Sequence, residues 1–132
     1  MADLRARIVS RSTLRYAAGA DAALDRPAHV RAASGVVYVD TPRGPRLLLV
    51  QDDASFLALV DPHDQRVDGA IALPSVRGRR QFDEASGTKE DKLDLESVVV
   101  LDDLVVAFGS GSTDKREQIV LARVDRSPAV AS

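Results

Sequence analysis

A chain of 132 residues with 45% hydrophobic and 29% charged residues, a net charge of -2 and no cysteine has the size of one domain built on one core. The missing cysteines exclude disulfides, thiolate nucleophiles and Cys-ligated zinc, and arginines dispersed along a near-neutral chain exclude the basic footprint of a nucleic-acid binder. No apolar run approaches the ~20 residues of a membrane span, and the N-terminus lacks the apolar stretch of a signal peptide, so a soluble cytoplasmic protein is expected.

Arginine alternates with apolar residues over Leu4 to Val9 and Thr13 to Tyr16, and this period of two predicts two short strands around a Ser10-Arg11-Ser12 turn. Ala17 to Ala33 is alanine-rich and carries Gly19 and Pro27, so it reads as a connection, with either a loop or one helical turn near Asp21 to Leu24. Residues 1–33 are thus N-terminal strands and their connection. Residues 34–73 hold four strands, Gly35 to Val39, Arg46 to Gln51, Ser55 to Val60 and Gly69 to Leu73, each bounded by turn residues. Thr41-Pro42-Arg43-Gly44-Pro45 reads as a loop, Asp52-Asp53-Ala54 as a tight acidic turn and Asp61-Pro62-His63-Asp64 as a proline turn. Residues 74–92 form a polar insertion without apolar periodicity. Its basic run Arg77-Gly78-Arg79-Arg80 is balanced by Asp83, Glu84, Glu90 and Asp91 and reads as a solvated loop. Residues 93–125 supply Leu95 to Leu101, Leu104 to Phe108 and Gln118 to Val124, with Asp102-Asp103 as a hairpin turn. The tail, 126–132, is too poor in strand formers to add another.

An internal echo organises these elements. Ser34-Gly35-Val36-Val37-Tyr38-Val39-Asp40 recurs as Glu96-Ser97-Val98-Val99-Val100-Leu101-Asp102 roughly 60 residues further on, and both copies run on to a strand closing on Val-Asp, at Val60-Asp61 and Val124-Asp125. With the insertion set aside, the period falls to about 41, close to the ~40–45 residues of a blade-sized repeat. The expected fold is all-β, with antiparallel blade-like repeats forming about two blades of a β-propeller-like fold. Closed propellers use ~4–8 blades, which leaves three readings: a fragment of a longer protein, copies associating through exposed sheet edges, or an open sandwich-like array. The runs Leu47-Leu48-Leu49-Val50 and Val98-Val99-Val100-Leu101 are expected to be buried on both faces, so that an isolated chain self-associates or is marginally stable.

Residues with chemical potential are few. Lys92-Leu93-Asp94-Leu95-Glu96-Ser97 leads into a strand, and alternation places Asp94 and Glu96 on one face, where two carboxylates hold a hard cation or, alternatively, bond turn N–H groups and a neighbouring arginine. Calcium needs ~6–8 oxygen ligands, which would have to be gathered from turns such as Asp52 and Asp53. Gly109-Ser110-Gly111-Ser112-Thr113-Asp114-Lys115-Arg116 is a glycine-rich loop whose N–H groups suit an anion, with Arg116 adding a fork of donors; the other reading is a bent hairpin. It lacks the lysine-serine ending and following helix of a phosphate loop. His29 and His63 have no metal-ligand spacing, and no Gly-x-Ser-x-Gly elbow is present.

The series Ser34-Gly35, then Gln51-Asp52-Asp53-Ala54-Ser55-Phe56-Leu57 with Val60-Asp61, then Lys92-Leu93-Asp94-Leu95-Glu96, then Gly109-Ser110-Gly111-Ser112 with Arg116 resembles the N-terminal part of a bacterial family of uncharacterised propeller-like proteins. The resemblance covers about residues 34 to 125. It implies a longer parent protein and treats Asp52, Asp53, Asp94, Glu96, Ser110, Ser112 and Arg116 as one set of ligand-binding residues converging at one end of the propeller. The function expected is binding of a small polar ligand or a protein partner at that loop face, without a cofactor. The first alternative is a calcium-dependent hydrolase of the phosphoesterase or lactonase kind with Asp52, Asp53, Asp94 and Glu96 as Ca2+ ligands; the complete absence of asparagine counts against the lactonase type. The second is a purely structural repeat module.

Overall fold

The computed structural model describes residues 3–124 and folds them into two antiparallel meanders. Sheet 1 runs β1 (Ala33–Thr41), β2 (Gly44–Gln51), β3 (Phe56–Val60), β4 (Val67–Ala72), and sheet 2 runs β5 (Leu95–Leu101), β6 (Leu104–Gly109), β7 (Ile119–Arg123), each in chain order. The all-β expectation holds. Both sheets are built from β-branched and leucine runs that alternate across the pleat, and no helix among the described residues is long and apolar enough to cross a membrane.

The two sheets pack face to face. Val39, Leu48, Val50 and Leu57 of sheet 1 share one core with Leu95, Val105 and Ala107 of sheet 2, and Leu48, Val50, Leu57 and Ala107 are completely inaccessible to solvent. The closest approach is between β1 and β5. There Ser34 Oγ donates to the Leu95 carbonyl, and a Cβ on Gly35 would crowd Val50 Cγ2 of the neighbouring strand at 3.0 Å and touch the Glu96 carbonyl at 3.5 Å. The other face of sheet 1 carries Leu49, Ala58, Val60 and Val67, covered by Tyr16, Leu14 and Val30 from the N-terminal connection. Gln51, 1% exposed, ties that cover down. Its amide donates to the Tyr16 hydroxyl (3.1 Å) and the Phe56 carbonyl (3.0 Å) and accepts from Arg31 N–H (2.8 Å), leaving no buried amide group without a partner. Burial pushes the Tyr16 phenol up from its ordinary pKa.

Both first strands carry a bulge at their start, between Ala33 and Gly35 in β1 and between Leu95 and Ser97 in β5. Counting from the bulge, the β1 residues turned toward sheet 2, Val37 and Val39, correspond to Val99 and Leu101, which point away from sheet 1. The sheets therefore stack in the same sense, like face on unlike face. In consequence the second face of sheet 2 has no partner sheet among the described residues: the cross-strand rows Ser97-Phe108-Ile119 and Val99-Val106-Leu121 lie on it, with Val99 47%, Leu101 63%, Ile119 59% and Leu121 63% exposed around a buried Val106. The expectation that Val98 to Leu101 is buried on both faces is thus corrected, whereas Leu47 to Val50 is covered on both sides.

Other expectations also change. Residues 4–14 form no strand, and Arg15 and Tyr16 make only single bridges, to His29 and Val67. Alternation predicts a wet face but cannot supply a partner strand, and Leu4, Ile8 and Val9 are 100%, 72% and 84% exposed. Asp21 to Leu24 is a turn closed by Asp21 Oδ1 accepting from Ala23 and Leu24 N–H, not helix. Thr41 to Pro45 is a two-residue hairpin in which Thr41 pairs Gly44 and Asp40 pairs Pro45. Pro45 is tolerated because β3 pairing begins only at Leu47, so no ladder bond is asked of its nitrogen. In the insertion 74–92, Arg77, Gly78 and Arg79 are exposed as expected, but the segment is pinned at Arg80 and Phe82. Phe82 is 1% exposed, and Arg80 donates to the Leu73 (2.6 Å) and Leu24 (3.0 Å) carbonyls with its guanidinium 5.9 Å from the Phe56 ring centre. The predicted last strand is shorter at both ends, and the tail expected at 126–132 lies outside the described residues.

Truncation separates the two faces of the stack. Leu57→Ala, in the shared core, is expected to lower unfolding free energy by about 2–5 kcal/mol, and Leu121→Ala, on the bare face, by less than about 0.5 kcal/mol. Urea unfolding of both variants monitored by fluorescence-independent far-UV circular dichroism checks this; equal losses would mean that the face carrying Leu121 is covered.

Candidate functional site

Three segments meet at one end of the stack. The β2–β3 link brings Asp52 and Asp53, the approach to β5 brings Lys92 and Asp94, and the β6–β7 loop brings Ser110, Ser112 and Arg116. Their positions follow from local backbone needs. Asp52 N–H donates to the Ala32 carbonyl (2.8 Å) and the Asp53 carbonyl accepts from Phe82 N–H (3.0 Å), so both carboxylates project from a held link. Asp94 sits at φ +55, a left-handed conformation that aspartate tolerates better than most residues, just ahead of the β5 bulge. Gly109 ends β6 where a Cβ would lie 2.1 Å from the Arg116 carbonyl oxygen, a contact only glycine permits.

At the centre is Lys92, which sequence reasoning placed in a motif but not in the site. It is 4% exposed. Its Nζ donates to Asp52 Oδ1 at 3.0 Å and Asp53 Oδ1 at 3.2 Å and lies 3.5 Å from Asp94 Oδ1. Asp94 extends the chain through Oδ2, 3.5 Å from Arg116 Nη1. Arg116 in turn donates through Nη1 to Ser112 Oγ (3.0 Å) and through Nη2 to the Lys89 carbonyl (3.1 Å), and Ser112 Oγ lies 2.9 Å from Ser110 Oγ. Arg116 Nε is buried without a hydrogen-bond partner; its terminal nitrogens fix the guanidinium. A buried ammonium is costly unless several oxygens replace its water, and here three carboxylates do so. The only sequence signal for this was a lysine two residues before an aspartate at a strand start.

Six of the seven residues singled out from sequence thus join one continuous polar chain. The seventh, Glu96, is exposed, yet one of its carboxylate oxygens falls within 4.8 Å of oxygens of Asp52 and Asp94. The glycine-rich loop does not form an anion cradle. Gly111 N–H donates to the Arg116 carbonyl (3.0 Å) and Ser112 N–H to Ser110 Oγ (3.3 Å), so these donors close the loop on itself, as in a bent hairpin. Beside the cluster, Glu90, Thr113, Asp114 and Arg116 line an open hollow of about 330 Å³. Two larger, mainly apolar hollows of about 430 and 500 Å³ flank β7. His29 and His63 stand apart, the first with Nδ1 3.0 Å from the Val30 carbonyl and the second in the Asp61 turn.

The buried and exposed lysines of this region make the clearest test of its energetics. Lys92→Met leaves three carboxylates facing an apolar end and is expected to cost about 3 kcal/mol. Lys89→Met, which breaks an exposed pair with Glu84 at 3.1 Å, is expected to cost less than about 0.5 kcal/mol. Chemical denaturation of both variants checks the difference.

No curated protein and no solved structure matches this chain. The model of a family described as Family of unknown function (DUF6929) matches residues 29–131, which takes in both sheets, the insertion and every residue of the cluster; the chain belongs to that family.

Proposed function

We propose that this chain is a blade-like β domain that binds a small polar ligand, or a polar loop of a protein partner, at the end where the β2–β3 link, the approach to β5 and the β6–β7 loop meet. The observation carrying this reading is the hollow of about 330 Å³ bounded by Glu90, Thr113, Asp114 and Arg116, set against a cluster in which Lys92 and Arg116 are held by the carboxylates of Asp52, Asp53 and Asp94. Glu90, Thr113 and Asp114 are exposed and offer acceptors of both charged and neutral kind, with a guanidinium on the inner wall. That combination suits a ligand bearing amine or hydroxyl donors, a zwitterion above all. Binding rather than catalysis is favoured because Lys92 and Arg116 are held in ion pairs and neither histidine faces a serine. The same-sense stacking of the sheets supports the propeller-like reading: each sheet presents to the next the face that the next sheet leaves open, the arrangement by which blades succeed one another.

A second reading rests on the carboxylate oxygens of Asp52, Asp94 and Glu96 lying within 4.8 Å of one another. Three such oxygens are half of a calcium shell, but the Lys92 ammonium already occupies the positive centre of the group, so a calcium ion would have to compete with it.

Titration with free amino acids and with spermidine, read by thermal shift and calorimetry, tests the first reading. The expected result is binding by the natural chain and an affinity at least about tenfold weaker in Glu90→Gln/Asp114→Asn, whose melting temperature without ligand is unchanged. Absence of binding across these probes, or equal binding by the variant, overturns it. Heat on titration with calcium chloride that disappears in Glu96→Gln would establish the second reading instead.

A further inference from the structure

Among the described residues sheet 1 has four strands and sheet 2 three, so β7 (Ile119–Arg123) is an edge strand whose outer N–H and C=O groups meet no strand of the described residues. Two hollows border this strand, one near each end: one of about 430 Å³ lined by Leu73, Val76, Leu93, Ile119 and Leu121 among others, and one of about 500 Å³ reaching Leu59, Ile71, Arg123 and Val124. A gap of this shape, apolar and running beside an open edge, is what remains where an adjoining strand is missing. The same chain carries an element with the opposite deficiency. Residues 3–13 are exposed throughout; Leu4, Ala6 and Ile8 alternate with Arg5, Arg7 and Val9, a strand pattern that pairs with nothing, and Leu4 is 100% and Ile8 72% exposed.

We propose that β7 of one copy takes up the Asp3 to Ser10 arm of a second copy as the fourth strand of sheet 2. Main-chain bonds satisfy the edge, and Leu4 and Ile8 enter the two hollows while Arg5 and Arg7 stay on the wet side, as in other strand additions. The donor is a second copy because the arm of the same chain is anchored on the far side of sheet 1. Ser12 Oγ donates to Gln65 Oε1 at 2.7 Å and Gln65 Nε2 lies 3.5 Å from Ser10 Oγ, and Leu14 and Tyr16 pack on the face of sheet 1 turned away from sheet 2.

Sedimentation equilibrium on the whole chain, combined with hydrogen exchange, tests the assignment. The expected result is a concentration-dependent dimer or larger species, with arm amides protected only in that species. Leu4→Asp/Ile8→Asp alters two exposed side chains and Leu121→Lys another, so all three sites are changed without touching the core; each variant is expected to weaken association at least about tenfold, roughly 1.4 kcal/mol, with an unaltered circular dichroism spectrum. A mixture of the two variants is expected to regain one arm-to-edge contact and associate more than either alone. A wild-type chain that stays monomeric, an arm already protected in the monomer, or association that survives both variants overturns the proposal.

Discussion

Val50 and Leu57 from sheet 1 meet Leu95, Val105 and Ala107 from sheet 2 in a single core, and every other feature of the molecule is placed by that contact. Each meander has an apolar face that must be covered, and each covers the other's. Once the faces are joined, β1 and β5 lie so close that a Cβ on Gly35 would touch the Glu96 carbonyl at 3.5 Å and Ser34 bonds across to the Leu95 carbonyl. The approach to β5 is thereby laid against the β2–β3 link, and the polar cluster follows from it.

The Lys92 cluster is the polar counterpart of this core. An ammonium that is 4% exposed has lost most of its water, and three carboxylates at 3.0 to 3.5 Å restore the interactions that water supplied. Such an arrangement adds little net stability compared with apolar packing, yet it punishes any misplacement of its members. It therefore fixes register: the link after β2, the entry to β5 and, through Arg116, the β6–β7 loop have one mutual position in which both cations are met by carboxylates. At the opposite end, Arg46, 8% exposed, bonds Asp68 at 2.8 Å; this hydrogen bonding holds the guanidinium pKa above its ordinary value and ties β2 to β4 across the sheet. Ligand recognition at the loop end would thus be built on a frame already held from within.

Same-sense stacking has a price at the last sheet. A face-to-face pair in which the sheets met by like faces would close on itself, whereas here the sheet 2 face bearing Val99, Leu101, Phe108, Ile119 and Leu121 has no partner sheet among the described residues. These side chains form a contiguous apolar surface framed by an open strand edge, the combination that marks interaction surfaces in soluble domains. The N-terminal connection shows how the equivalent problem is solved at the first sheet, where Tyr16, Leu14 and Val30 cover Leu49, Ala58 and Val60.

Strand order, the hairpin at Asp102-Asp103 and the paired meanders were legible from the sequence because alternation and turn residues act over a few positions and leave local marks. The convergence of Asp52, Asp53, Asp94, Ser110, Ser112 and Arg116 was legible as well, since turns on the same side of successive hairpins fall at the same end of a stack. Lys92 as the centre of that group was not, because burial of a charge depends on which distant carboxylates arrive beside it. Nor were the strands expected at Leu4 to Val9 and Thr13 to Tyr16, or the solvated loop expected around Arg80, decided locally: alternation describes how a segment would sit in a sheet, not whether a neighbouring strand exists to receive it, and an arginine reads as exposed until an aromatic ring and two carbonyls are folded against it. By itself the sequence determined the strands and their turns, through short-range sterics and hydrophobic period; only the tertiary structure decided which faces are covered and which charges are buried, because both depend on contacts between residues far apart in the chain.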